Sequence, residues 1–118
     1  MAVAAKTLGS VLLKVGDTDE SVRRFRQALR LTTQALAEDP QYSFARLESA
    51  SAEHGLGRAL LARGNRENMA EGCATLERVR AFWTALRKKG DLPPGEATEL
   101  DGLPRLLAPC RSRHQAAG

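Results

Sequence analysis

The sequence predicts an all-α protein: antiparallel helix pairs stacked as a short superhelical array, closed by a C-terminal capping helix. Three observations carry this. Apolar residues recur at helical spacing along most of the chain, with no alternating run and few β-branched residues to mark a strand. The phrase "KTLGSVLLKVGDT" at 6–18 is echoed by "HGLGRALLARGNR" at 54–66, forty-eight residues later. Asp39-Pro40 and Pro93-Pro94 then punctuate the chain after each pair of helical patterns.

The first helix carries Ala5, Leu8, Gly9, Leu12 and Val15 at i, i+3, i+4, i+7 and i+10, a stripe expected to be buried. Gly16 ends it. Asp17 or Thr18 caps the second helix, and Asp19 and Glu20 place negative charge in its first turn. That helix presents Val22, Phe25, Ala28, Leu29, Thr32, Leu36 and Ala37 and stops at Asp39-Pro40. A third helix starts near Gln41, carries Phe44, Leu47, Ala50, His54, Leu56 and Leu60, and ends at Gly64. The fourth begins near Arg66, with Met69, Cys73, Leu76, Val79 or Arg80, Trp83 and Leu86 on its stripe. "RKKG" at 87–90 stops it with cations in the last turn and Gly after them. Pro94 suits the first turn of a last helix, lined by Ala97, Leu100, Leu103, Leu107 and Cys110. Pro104 and Pro109 are expected to kink or fray it. Trp83 is expected to pack near Leu100, Leu103 or Leu107. The units are therefore about 1–40 and 41–90, a linker and helix at 91–110, and a patternless, disordered tail at 111–118.

In each unit the Gly after Leu lets a neighbouring helix approach closely, and the second Gly turns the chain back within a short loop. With aromatics at 4%, the core must be mostly Ala, Leu and Val. The chain is one domain of ordinary soluble composition, with a formal charge of +4 that permits an anionic partner without demanding one. No stretch approaches the roughly 18 apolar residues of a membrane span, and Lys6 and Lys14 interrupt any signal-peptide pattern. A cytoplasmic location is the expectation. Cys73 and Cys110 form no Cys-x-x-Cys pair and no zinc pattern with His54 and His114, so both are expected as reduced, small buried hydrophobes.

These residues resemble the tetratricopeptide repeat family. Leu8, Gly9, Leu12, Gly16, Asp17, Ser21, Phe25 and Ala28 fill the family's pattern in the first unit, and Leu56, Gly57, Leu60, Gly64 and Asn65 begin it again in the second. After Gly64 two registers are open. In one, Met69 takes the small slot and Cys73 the aromatic one. In the other, which suits the slots better, "NMA" is an insertion and Gly72, Leu76 and Val79 take them. The spacing exceeds the family's usual ~34 residues. Long helices with "DP" between units are similar to the arrays attached to some bacterial serine/threonine protein kinases. The resemblance implies a superhelical array for protein–protein interaction, a regulatory or sensor segment of a larger signalling protein. Two units fall below the usual three-unit minimum, so segment 94–110 or a homodimer supplies the missing surface.

No catalytic constellation, cofactor motif or metal-ligand set stands out, so the chain is not expected to be an enzyme and no kinase activity is carried over. "GLG" at 55–57 lies in a helical pattern, not in a phosphate loop. Arg23, Arg26 and Arg30 share one helix face, and Arg111 and Arg113 add charge in the tail; a phosphate stripe for nucleic acid is the alternative function. No aromatic is interleaved for stacking, and a solvated outer face paired with Asp19 and Glu20 is the simpler reading. The favoured surface comes from the repeated helices. Lys6, Ser10 and Leu13 form a second stripe beside the first, with Lys14 extending it; His54, Arg58 and Leu61 hold the same places in the second unit. Leu13 and Leu61 serve either as a groove floor or as contacts to a neighbouring helix. Lys6, Arg58 and His54 suit a carboxylate, so the expected partner is a protein or acidic peptide.

Overall fold

Three glycines and two short polar side chains cut this chain into helices. Gly16, Gly64 and Gly90 all adopt positive φ, the conformation that ends a helix without steric penalty. In the computed structural model, which describes residues 2–111, the helices are α1 (Ala2–Lys14), α2 (Thr18–Glu38), α3 (Ser43–Arg63), α4 (Arg66–Lys89) and α5 (Pro94–Leu106). After α1, the Asp17 N–H donates to the Leu12 carbonyl and the Gly16 N–H to that of Leu13; Asp91 and Gly90 repeat this double closure after α4. Asp17, not Thr18, then caps α2, its Oδ1 accepting the Glu20 N–H at 3.2 Å, and Asn65 caps α4 through the Asn68 N–H at 2.9 Å. Extended Asp39 separates α2 from α3, as the following proline requires, and α3 starts two residues later than expected. Pro104 sits inside α5, which closes at Leu106, and a further helical turn spans 108–111 across Pro109. Among the described residues there is no strand, and no helix is long and apolar enough to cross a membrane. Of the disordered tail expected at 111–118, residues 112–118 lie outside the described residues, and Arg111 belongs to the last helical turn.

Each helix packs against its neighbour in sequence, and α1 also touches α3. Phe25 of α2 is fully buried between two glycines. A Cβ on Gly9 of α1 would stand 3.0 Å from its ring, and one on Gly55 of α3 would overlap the ring atoms Cε1 and Cζ. Ser21, one turn earlier, is buried and donates its hydroxyl to the Gly9 carbonyl at 2.7 Å. The second pair repeats this contact. A Cβ on Gly57 would meet Leu76 Cγ at 2.5 Å, and one on Gly72 would meet the Gly57 carbonyl at 3.1 Å. Gly57, Gly72 and Leu76 thus meet across α3 and α4 much as Gly9, Ser21 and Phe25 meet across α1 and α2.

Val22 and Phe25 of α2 pack against Leu56, Ala59 and Leu60 of α3. The larger cluster joins Leu76, Val79 and Trp83 of α4 to Leu100, Leu103 and Leu107 at the C-terminal end, as expected for Trp83. Three other expectations fail. Leu8 is 41% exposed and Val15 72%; the buried positions of α1 are Ala5 and Gly9. Helix α1 carries two apolar rows, and among the described residues no helix covers the row of Leu8, Val11 and Val15. The corresponding row of α3, with Leu56 and Ala59, is buried because α2 covers it. Phe44, in the first turn of α3, is 53% exposed beside Tyr42, and Ala37 near the end of α2 is also exposed.

The cysteines are the fourth correction. Cys73 of α4 and Cys110 are joined in a disulfide, with Cα atoms 5.7 Å apart, and are not the reduced thiols the sequence suggested. The bond bridges 37 residues and ties the segment after α5 back onto α4. Disulfides persist in oxidising compartments, which runs counter to a cytoplasmic location.

Two predictions follow from this packing. Gly55→Ala drives a methyl into the Phe25 ring and lowers stability by about 1–3 kcal/mol in urea unfolding, whereas Val15→Lys stays within about 0.5 kcal/mol of wild type. Equal effects of the two would mean that Phe25 does not sit in a glycine slot. A thiol count on denatured, unreduced protein gives no free sulfhydryl. Cys73→Ala with Cys110→Ala lowers stability by about 4 kcal/mol on chain-entropy grounds, and an unchanged melting curve would contradict the cross-link.

Candidate functional site

Residues four apart on a helix share a face, so Lys6 and Ser10 project together from α1, and His54 and Arg58 from α3. Because α1 touches α3, these four meet around one cavity of about 350 Å³. Its third wall is the start of α5, with Gly95, Glu96 and Glu99, and Trp83 and Phe25 reach its base. The other three expected site residues lie elsewhere. Leu13 packs against the Val22–Phe25–Leu56 cluster and Leu61 against the Leu76–Trp83 cluster, so both act as contacts to neighbouring helices. Lys14 is exposed at the end of α1 and does not line the cavity.

The charges in the cleft are not equivalent. Lys6 Nζ stands 2.8 Å from Glu48 Oε2, with side chains only 21% and 16% exposed, so the two charges largely cancel. Arg58 is half-buried, and among the described residues no carboxylate reaches it. His54 is buried, its ring centroid 5.1 Å from that of Trp83. Burial, and then the nearby Arg58 charge, push the His54 pKa from 6.5 down to about 4. It is therefore neutral at pH 7, and its Nε2, 3.6 Å from Glu99 Oε2, makes neither an ion pair nor a hydrogen bond there. Three buried nitrogens around the cavity have no hydrogen-bond partner: His54 Nε2, Trp83 Nε1 and Arg58 Nε. Buried polar atoms are ordinarily paired, and these three lie behind the cavity wall rather than open to it.

Glu48, Trp83, Glu96 and Glu99 were not among the expected site residues. Glu96 was legible as a first-turn acid of α5, but nothing local places α5 beside α3. The arginine face of α2 is largely engaged. Arg23 pairs with Glu20 at 2.6 Å, and Arg26 makes two 3.0 Å bonds to Glu71, which hold that carboxyl below its ordinary range. Arg30 and Arg111 are exposed, and Arg113 lies outside the described residues. No group of three His, Cys, Asp or Glu side chains suited to a metal occurs among the described residues.

Fold and cleft together define a five-helix all-α domain with a small polar cavity between α1, α3 and α5. No protein-family profile, no curated protein and no solved structure matches the chain.

Acidification reports on His54. Its folded-state pKa lies below the unfolded value, so the unfolded chain binds more protons between pH 6.5 and 4. The contribution is complete above about pH 6.5 and is lost as pH falls toward about 4, amounting to about 3 kcal/mol. Wild type should lose that much stability relative to His54→Gln over this window. Parallel stability profiles of the two proteins would show that His54 titrates normally.

Proposed function

We propose that this protein is a non-catalytic interaction module of tetratricopeptide-repeat type, receiving a peptide or the tail of a protein partner in the cleft between α1, α3 and α5. The observation that carries the reading is the convergence of Lys6, Ser10, His54 and Arg58 on one cavity, with Arg58 unpaired there. The forty-eight-residue recurrence supports it, since the same face of a repeated helix is used twice. On its resemblance to kinase-attached arrays, the module serves as a regulatory or sensor segment of a larger signalling protein. The Cys73–Cys110 bond favours an oxidising compartment for this segment. Nucleic-acid binding is the weaker reading, because Arg23 and Arg26 are already held by acids.

Arg58 is the residue to test. It has no ion pair to lose, whereas Lys6→Glu would set a second carboxylate against Glu48. Peptides selected from a random display library on the wild-type protein should bind Arg58→Gln at least about tenfold more weakly, the scale of one charged hydrogen bond. They should bind Arg23→Gln with Arg30→Gln as they bind wild type. Loss with the second pair and retention with Arg58→Gln would move the site to the outer face of α2.

A further inference from the structure

The charges that remain free in the cleft have both signs. Lys6 is neutralised by Glu48, and His54 carries no charge at pH 7. What remains is Arg58 on α3 and, on the α5 wall, Glu96 and Glu99. No ion pair joins Arg58 to either carboxylate, so one cation and two anions face the same cavity unpaired. An acidic peptide would meet Glu96 and Glu99 with nothing to offset them. A simple cation would meet Arg58.

We propose that the cleft selects a zwitterion, a free α-amino acid or a short peptide with free termini, its carboxylate at Arg58 and its ammonium at Glu96 and Glu99. This rests on the cleft being the binding site and names the chemistry it takes. A cavity of about 350 Å³ stands at the small end of ligand clefts, room for an amino acid or a dipeptide and not for a folded element. His54, whose Nε2 lies 3.6 Å from Glu99 Oε2, lines the side of the ammonium. The Ser10 hydroxyl adds a group able to bond either end. Charge-assisted bonds at both ends make recognition depend on two free termini at once.

The test is a thermal-shift screen of the free amino acids and a dipeptide set at pH 7, with titration calorimetry of the best hit and its N-acetyl and C-amide derivatives. The hit should raise the melting temperature, and each blocked derivative should bind at least tenfold more weakly. Arg58→Gln should abolish the discrimination against the amide, and Glu96→Gln with Glu99→Gln that against the acetyl form; circular dichroism checks that both variants are folded. Equal binding of free and blocked forms overturns the proposal. So does a screen without hits while library-selected peptides still bind through Arg58; the cleft then stands as a site for another chemistry. Absence of both kinds of binding removes the cleft reading itself.

Discussion

Phe25 has room only because two of its neighbours lack side chains. Its ring fills the space that a Cβ on Gly9 or Gly55 would need, so α1, α2 and α3 meet at backbone distance rather than side-chain distance. Burying a phenylalanine contributes about 1.5–3 kcal/mol, and in a core built largely from Ala and Leu that is a large single contribution. The spacing it sets has further effects. Ser21 can reach the Gly9 carbonyl because the helices are close. The adjacent faces of α1 and α3 are drawn together, which is what brings Lys6 and Ser10 opposite His54 and Arg58. Cavity-lining residues on two helices are thus positioned by a hydrophobic contact between three.

The second pair solves the same problem with smaller parts. Leu76 takes the place of Phe25, and Gly72 takes that of Ser21, so a backbone approach stands where the first pair has a hydroxyl. Leu76 leaves Val79 and Trp83 to pack elsewhere, and the C-terminal end meets them with Leu100, Leu103 and Leu107. The Cys73–Cys110 bond then tethers the segment beyond α5. Because the start of α5 is also the third wall of the cleft, one element both covers the Trp83 core and completes the site. Among the described residues the opposite end of the molecule has no such cover: Leu8, Val11 and Val15 are exposed.

The arginines divide by burial and pairing. Arg23, Arg26, Arg63, Arg78 and Arg87 reach acids on or across helices, mostly in solvent, where such pairs add little stability. Arg58 is half-buried, meets no acid among the described residues, and adds to the burial that lowers the neighbouring histidine's pKa. An unpaired, partly desolvated cation is costly to hold, and its cost is offset when a ligand supplies the counter-charge. The excess of basic residues in the composition therefore says less about function than one arginine placed in a cleft.

The helices and their ends were legible in the sequence because their determinants are local. Gly16, Gly64 and Gly90 stop helices by their own backbone freedom, Asp17 and Asn65 cap by reaching three residues ahead, and Pro40 and Pro94 act on adjacent dihedrals. The sequence singled out Lys6 and Ser10 together with His54 and Arg58 because one phrase recurs forty-eight residues on; that they line one cavity follows from the contact of α1 with α3. Only the tertiary structure decided which apolar row of α1 is covered, since periodicity gives an angle around a helix and not the position of the next helix. It alone joined Cys73 to Cys110 and carried Glu96 and Glu99 to the cleft, because each depends on where α5 docks. That docking is set by Trp83 and three leucines acting together across the turn between α4 and α5, a cooperative contact that no local segment of the chain encodes.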